Sequence, residues 1–283
     1  MFALLETPAD LRPWVRCIWT LHGEATVQPD PPIAPDGCCE WIVHVGQPPS
    51  MAVGEHWVRQ PREFLFGQLD GPLHLHADQG MALLAVRFHP HAVAPLLRVG
   101  GSALLAQPLE LPQLDHRLRR FHAGDAHPSI ASAYSALLAV LRKLARDARA
   151  FDPLVQEALH RVESAPGQRA AALSRQLCVS ARTLERRFLQ NTGLGVKAYL
   201  RIRRMQQSLQ QLSQSHASAA DVAHALGYAD QAHLTRELVA AGALNKRGKP
   251  IDKGFLYKAL NNRVYLGEAV HKGTSYPGEH QAI

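Results

Sequence analysis

Histidine is the residue type in this sequence that most directly suggests site chemistry, since 16 of the 283 residues are histidines. His74 and His76 stand two apart in the segment LHLH, which would place both side chains on one face of a β-strand. His89 and His91 follow in the segment RFHPH. Four imidazoles in a β-barrel could bind a metal ion. We favour the alternative of scattered histidines because no nearby glutamate completes a ligand pattern, so no metal and no cofactor is predicted.

The four cysteines suggest little chemistry of their own. Cys38 and Cys39 are adjacent in an apparent strand, where cysteine more often serves as a small apolar residue than as a redox pair. The spacing fits neither a disulfide framework nor a zinc pattern, which is typical of the reducing cytoplasm. The sequence has no phosphate-binding loop, no Ser–His–Asp order, no signal-peptide layout and no apolar run of about 18 residues. We therefore expect a cytoplasmic protein with no membrane partner and no catalytic residues.

Basic residues are concentrated in the second half of the chain. Residues 1–150 carry 13 Lys or Arg against 14 Asp or Glu, residues 151–244 carry 11 against 7, and residues 245–283 carry 7 against 3. The net charge of +7 therefore comes wholly from the part after residue 150. This asymmetry suggests a polyanion partner for that part, and an ordinary basic surface is the alternative that charge alone leaves open.

The chain before residue 150 predicts a small β-rich domain that ends in a helix. Short apolar or alternating runs, typical of strands in a barrel or a sandwich, occur at residues 40–46, 63–69, 72–77 and 81–88. Pro128 and Ser129 then open a helical pattern. Its apolar stripe consists of Ile130, Leu137, Leu138, Leu141 and Leu144.

The chain after residue 150 predicts helices only. Asp152 can cap the first of them, and Pro153 suits its first turn. Two segments, 171–188 and 220–238, share one pattern of helix, short turn and second helix, which is the helix-turn-helix pattern. Ser180 and Asp230 would cap the two second helices. Between the units, a predicted helix of about 18 residues would span about 27 Å, close to the roughly 34 Å of one DNA turn.

These segments resemble the AraC-type transcriptional regulators. The phrases VSARTLERRF, YLRIRRM and ADVAHALGYADQAHLTRE carry the resemblance over residues 153–237. The upstream phrases PDGCCEWIVHVG, GQLDGPLHLH and AVRFHPHAVAPLL resemble the sensory domain of one branch of that family. The resemblance implies a regulator of α+β class with a β-rich sensory domain and an all-α double helix-turn-helix domain. Its partners would be double-stranded promoter DNA, a small-molecule effector of unknown identity and often a second copy of the chain.

The resemblance also implies base contacts from the second helix of each unit, which we call the recognition helix. Arg pairs with guanine, Glu accepts from cytosine, Gln suits adenine, and Ala or Thr contacts the thymine methyl group. The implied positions are Arg182, Glu185 and Arg186 in the first unit, and Gln231, Ala232, Thr235 and Arg236 in the second. On the helix between the units, Arg201, Arg203 and Arg204 either contact phosphate or form a solvated face. Cys178 stands in the first turn where the family commonly has Gly, which could strain that turn.

The resemblance to AraC-type regulators stops after Glu237. Residues 238–283 resemble instead the middle region of large serine site-specific recombinases, in the basic stretch KRGKP and the phrases GFLYKALNNRVYLGE and AVHKGTSYPGEH. We interpret the junction as a gene fusion that truncates the second unit and impairs it. The recombinase nucleophile belongs to an upstream domain that nothing here matches, so no recombinase activity is predicted. The predicted domains are 1–150, 151–237 and 238–283, and the alternative function is a small-molecule or metal-binding β-barrel without functional DNA binding.

Overall fold

A β-rich part precedes a helical part in this chain, which confirms the predicted α+β class. The computed structural model describes residues 2–23, 32–77, 80–105, 108–110, 118, 129–165, 167–214, 218–243, 268–271 and 274–277. No helix among these residues is long and apolar enough to cross a membrane.

The strands of the first part form two antiparallel sheets. They are β1 (Phe2–Leu5), β2 (Val15–Gly23), β3 (Glu40–His44), β4 (Ser50–Val53), β5 (His56–Arg59), β6 (Glu63–Phe66), β7 (Leu75–His76), β8 (Met81–Phe88) and β9 (Pro108–Leu109). The larger sheet has the order β1-β2-β8-β3-β6-β9, and the smaller has the order β5-β4-β7. In the described part of the chain, β1 and β9 remain the two edges of the larger sheet, so that sheet does not close. The barrel alternative is therefore wrong.

One face of the larger sheet carries the core of the first part. Side chains alternate between the two faces of a strand, and in β3 this directs Trp41 and Val43 into the core, where they are 1% and 2% exposed. Two helices, α1 (Val93–Leu97) and α2 (Ile130–Arg146), cover this face. Each large apolar side chain buried in this way stabilises the fold by about 1.5–3 kcal/mol.

Helix α2 forms as its sequence predicts. Ser129 caps the helix, because its side chain accepts a hydrogen bond from the Ser132 amide while the Ser132 side chain accepts one from the Ser129 amide. The predicted apolar stripe faces the sheet. Its four leucines are buried and Ile130 is partly buried: Leu137, Leu138, Leu141 and Leu144.

The helical part contains the two predicted helix-turn-helix units. Its helices are α3 (Pro153–Ser164), α4 (Ala170–Gln176), α5 (Ala181–Thr192), α6 (Val196–Gln214), α7 (Ala219–Ala225) and α8 (Gln231–Ala240). Helices α4 and α5 form the first unit, α7 and α8 form the second, and α6 joins them. Each unit has its own core, built around Phe188 in the first and around Leu234 in the second, and both side chains are fully buried.

The sequence predicts that the second recognition helix, α8, continues through the helix-compatible run RELVAAGA and stops at Gly242, and the structure confirms this stop. Gly242 adopts a left-handed conformation with φ of 75°. Its amide donates to the Val239 carbonyl at 3.0 Å, and the Ala243 amide donates to the Leu238 carbonyl at 2.8 Å. This pair of bonds is the Schellman motif, which satisfies carbonyls that the end of a helix leaves free. Further along, β10 (Glu268–His271) and β11 (Thr274–Pro277) form an antiparallel pair. Residues 254–266, which belong to the recombinase-like phrase GFLYKALNNRVYLGE, lie outside the described residues.

The first part contacts the helical part along α6 and at the end of α8. The side-chain amide of Gln206 donates to the Pro35 carbonyl at 2.5 Å. A Cβ atom added at Gly37 would lie 2.6 Å from Cε2 of Tyr199, so the loop before β3 approaches α6 closely. A Cβ atom added at Gly242 would lie 2.7 Å from Cγ of Pro32. The two parts therefore form one packed structure.

Candidate nucleic-acid interface

The first recognition helix, α5, presents two arginines to solvent. The Ser180 hydroxyl accepts a hydrogen bond from the Thr183 amide at 3.0 Å, which fixes the start of the helix. Leu184 is buried in the first unit, and this turns the opposite side of the helix outward. Arg182 and Arg186 lie on that exposed side. Arg186 Nη1 donates a 3.4 Å hydrogen bond to Gln190 Oε1. Both guanidinium groups remain accessible to a ligand.

Glu185 lies on the same exposed side but has a structural partner. Its Oε2 atom accepts a hydrogen bond from the Val196 amide at 3.1 Å, at the N-terminus of α6. A carboxylate at this place satisfies an otherwise free amide and interacts favourably with the helix dipole. Glu185 therefore joins α5 to α6, and its second oxygen is the atom that can still accept a hydrogen bond from a base.

The second recognition helix, α8, is built in the same way. Asp230 accepts a hydrogen bond from the His233 amide at 2.6 Å, and Leu234 and Leu238 anchor the helix in the second core. The predicted contact residues lie toward solvent. Gln231, Ala232 and Arg236 are exposed, and Thr235 is half-buried.

The structure separates the three arginines that the sequence groups together on α6. Arg201 is exposed and can contact phosphate. Arg204 instead donates to Glu237 at 3.0 Å and stacks 4.2 Å from the centre of the Tyr228 ring. These contacts join α6 to α8 across 33 residues of sequence, so Arg204 has a structural role in the second unit. Arg203 is half-buried, and its positive charge partly offsets the rise that burial causes in the pKa of Tyr199.

One cationic residue near the first recognition helix was missed by the sequence reasoning. Lys197, at the start of α6, lines a shallow depression together with Arg182 and Glu185. The side chain is exposed, so it adds positive charge beside the predicted contact residues. Its position depends on how α6 packs against the first unit, so the sequence carried no local signal for it.

The four histidines that suggested a metal site do not come together. His76 belongs to the smaller sheet and His74 directly precedes its strand β7, whereas His89 and His91 follow β8 of the larger sheet. A ring nitrogen of His89 is 3.1 Å from the Arg12 carbonyl oxygen, and burial lowers the pKa of His91 to about 4. Among the described residues, no three His, Cys, Asp or Glu side chains form a group that could hold a metal ion.

The cysteines are free thiols, and three of them are buried. Burial raises the pKa of Cys17 and of Cys38 to about 11, which keeps both thiols protonated and unreactive at neutral pH. Cys38 is also 3.6 Å from the guanidinium of Arg16. Cys38 and Cys39 are buried apolar residues of the first part, as predicted, but they precede β3 and do not lie within a strand.

Comparison with known families matches both parts of the chain separately. Residues 173–241 match a family described as a helix-turn-helix domain. Residues 5–110 match a family described as a domain of unknown function (DUF6597). The helix-turn-helix match runs through both recognition helices, α5 and α8. Comparison with curated proteins yields no match.

Similar solved structures include several of ToxT from Vibrio cholerae. One at 1.65 Å resolution is 10% identical, with 79% of this chain and 94% of that chain covered and a TM-score of 0.44. A second, bound to (E)-4-(8-methylnaphthalen-1-yl)but-3-enoic acid, is 11% identical, with coverage of 86% and 99% and a TM-score of 0.45. A third, bound to an unsaturated fatty acid, is 12% identical, with coverage of 84% and 95% and a TM-score of 0.42. These values indicate only a distant likeness.

The geometry and the family match agree on the helical part. Two capped recognition helices present polar side chains outward, and a helix joins them. Residues 173–241 therefore form a helix-turn-helix domain, as the description of the matching family states.

Proposed function

We propose that the chain is a sequence-specific transcription regulator of AraC type that binds promoter DNA through both recognition helices. The observation that carries this proposal is the pair of exposed helix faces on α5 and α8, joined by the 19-residue helix α6. A helix of that length spans about 28 Å, which suits two adjacent major-groove contacts on one side of a duplex. This is a binding function, and no catalytic step is part of the proposal.

Base contacts are assigned to the exposed residues of the two recognition helices. Arg182 and Arg186 can each form two hydrogen bonds with guanine, and Gln231 can do so with adenine. Glu185 can accept from cytosine through the oxygen that does not bind the Val196 amide. The remaining assigned contacts are Ala232, Thr235 and Arg236. Positive charge from Arg201 and Lys197 supports phosphate contacts nearby.

The first 150 residues are proposed to form the sensory domain, and residues 151–237 the DNA-binding domain. The core of the first part ends with α2 and the partly buried Phe151, and the next core begins with Leu154 and Val155 at the start of α3. This change of core at residues 151–154 supports a boundary there. A small-molecule effector and a homodimer rest on the family resemblance alone.

Residues 238–283 are proposed to derive from a recombinase gene and to reduce the specificity of DNA binding. Their Lys and Arg residues outnumber the Asp and Glu residues of the segment. Such a segment attracts phosphate without distinguishing sequences. The helix-turn-helix match extends to residue 241, past the proposed junction, and Leu238 is buried in the second core. Both observations support a complete recognition helix, so we assign the impairment to added non-specific binding.

Selection of bound duplexes from random DNA by the purified full-length protein tests the proposed function. We expect one enriched motif with two half-sites about 10 base pairs apart. The doubly substituted variant Arg182→Ala/Arg186→Ala should lose the half-site of the first unit, whereas Arg161→Ala, which removes an exposed arginine on α3, should not. Failure to enrich any motif, together with stoichiometric binding of a divalent metal, would favour the rival function of a metal-binding protein without DNA binding.

A further inference from the structure

Asp152 makes more contacts than a helix cap requires. Its carboxylate accepts hydrogen bonds from the Leu154 and Val155 amides at 2.9 and 3.3 Å, which starts α3. The same carboxylate accepts two from the guanidinium of Arg187, at 2.7 Å from Nε and 2.6 Å from Nη2. Arg187 belongs to the recognition helix α5, and the Asp152 side chain is only 12% exposed. This two-point contact between charged groups fixes distance and orientation together.

Phe151, the residue before Asp152, is anchored in the first part of the chain. Its ring centre is 4.3 Å from that of Trp14 and 4.8 Å from that of His91. Nearby, the Arg149 amide donates to the Pro95 carbonyl at 3.1 Å. Two consecutive residues therefore hold different parts of the molecule, since Phe151 packs on the first core while Asp152 binds the first recognition helix.

The far end of α5 also lies against the first part. A Cβ atom added at Gly101 would overlap the Leu189 carbonyl oxygen and would lie 2.8 Å from the Gly193 amide nitrogen. The backbones are thus in direct contact where α5 ends. The exposed arginines Arg182 and Arg186 lie on earlier turns of α5, so this contact at the end of the helix leaves them accessible.

We propose that Phe151 and Asp152, here called the connection segment, position the first recognition helix relative to the first part of the chain. Asp152 is a positioning residue that acts through Arg187. Phe151 packs on the first core and so fixes the position of Asp152 relative to that core. If a bound effector displaced that core, the position of α5 relative to DNA would change. This inference rests on the proposed function in that α5 is taken to contact bases.

Asp152→Asn is a suitable test because it separates the two roles of the side chain. Asn caps helices about as well as Asp, so α3 keeps its start. The variant loses the negative charge that binds Arg187. Glu157→Gln on the same helix is the matched control, because it removes an exposed ion pair in which Arg161 Nε is 2.7 Å from Glu157 Oε1.

Hydrogen exchange on the free protein tests the positioning without any DNA. In Asp152→Asn, amides of residues 181–192 should exchange about tenfold faster, and in Glu157→Gln they should exchange as in the wild type. Phe151→Leu should also speed exchange in α5, because it weakens the anchor while leaving the ion pair in place. Unchanged exchange in α5 for Phe151→Leu would show that Asp152 and Arg187 form a local contact only, and would overturn the proposal.

DNA binding by the full chain tests the functional consequence. For a site selected by the wild type, Asp152→Asn and Arg187→Gln should each lose about tenfold in affinity, and the double variant should lose no more than either. Affinity for unrelated DNA should not change. Additive losses, or a smaller salt slope for Arg187→Gln alone, would mean that Arg187 itself contacts phosphate, contrary to the proposal. If the wild type selects no site, the proposed function fails, whereas the exchange result still decides the positioning role.

Discussion

Cys178 occupies in the first helix-turn-helix turn the place that Gly227 occupies in the second. Both residues are left-handed, with φ of 53° and 71°. Both turns close with a matching hydrogen bond: the amide after Cys178 donates to the Ser174 carbonyl at 3.1 Å, and the amide after Gly227 donates to the Ala223 carbonyl at 2.9 Å. Glycine adopts this conformation without cost, and cysteine does not.

Cys178→Gly should therefore stabilise the protein. Relief of the left-handed strain is worth about 1 kcal/mol, partly offset by the greater freedom of glycine in the unfolded chain. Thermal unfolding should show a higher midpoint than the wild type. Gly227→Ala is the converse control and should lower the midpoint, because it places a Cβ atom on a left-handed residue. A lower midpoint for Cys178→Gly would mean that the thiol makes a contact that outweighs the strain.

Arg186→Ala should weaken specific DNA binding by about 1–3 kcal/mol, since it removes a predicted bidentate contact to guanine. Arg182→Ala should behave similarly. Both side chains are exposed, so the unfolding midpoint should stay unchanged. Affinity measured on a selected site and on unrelated DNA separates base contact from phosphate contact. Equal losses on the two kinds of DNA would assign the arginines to phosphate instead.

Glu63 should make stability depend on pH. Burial raises the pKa of its carboxyl from 4.5 to about 7, partly offset by the hydrogen bond that Trp41 Nε1 donates to Oε1 at 2.8 Å. Because the folded-state pKa is the higher one, the stabilising contribution is complete below pH 4.5 and is lost as the pH rises through 7. Glu63→Gln keeps an acceptor for Trp41 and cannot ionise.

Glu63→Gln should thus be more stable than the wild type at pH 8, by about 3 kcal/mol at most, and equally stable at pH 4. Urea unfolding at both pH values measures the difference. The control Glu55→Gln changes an exposed glutamate in the turn between β4 and β5 and should show no such dependence. A stability difference that is the same at both pH values would exclude ionisation of Glu63 as its cause.

Features that depend on neighbouring residues were predictable from the sequence. The caps at Asp152, Ser180 and Asp230 follow from local side-chain chemistry, and the structure confirms all three. The glycine stop at Gly242 and the leucine stripe of α2 were found in the same way, because caps and helical periodicity need only a few consecutive residues.

Features that join distant residues were not predictable. Asp152 meets Arg187 across 35 residues and Arg204 meets Glu237 across 33. The sequence assigned Arg186, the neighbour of Arg187, to the exposed side, but nothing local to Arg187 indicates that Asp152 lies beside it. The order of the strands in the larger sheet likewise depends on contacts far apart in sequence. Periodicity shows which side of an element is apolar but not what covers it.

Residues 1–150 should fold alone and should not bind DNA. The segment carries a net charge of −1 and contains nearly the whole first core, which lacks only the partly buried Phe151. Circular dichroism of the purified fragment should show a cooperative unfolding transition, and a gel-shift assay should show no complex. Tight, salt-sensitive binding by this fragment would contradict the proposed domain division.

Removal of residues 245–283 should lower non-specific DNA affinity at low salt without changing the preferred half-site. The cut falls after Ala243, which is buried in the core of the second unit and closes α8, so the recognition helix keeps its end. The deletion removes seven Lys or Arg residues. Each phosphate contact contributes about 0.9 to the slope of log affinity against log salt, so the slope should fall in proportion to the contacts that the tail makes.

Titration of full-length and truncated protein with unrelated duplex DNA, at several salt concentrations, measures this slope. A full-length variant with Lys246, Arg247 and Lys249 changed to Gln is the control for chain length, because it keeps the segment but reduces its charge. It should show part of the same loss, since attraction to phosphate follows charge. The motif selected by the truncated protein should keep the half-site that α5 contacts. If truncation instead abolishes the half-site of α8 and lowers the unfolding midpoint, the added segment supports the second unit rather than reducing its specificity.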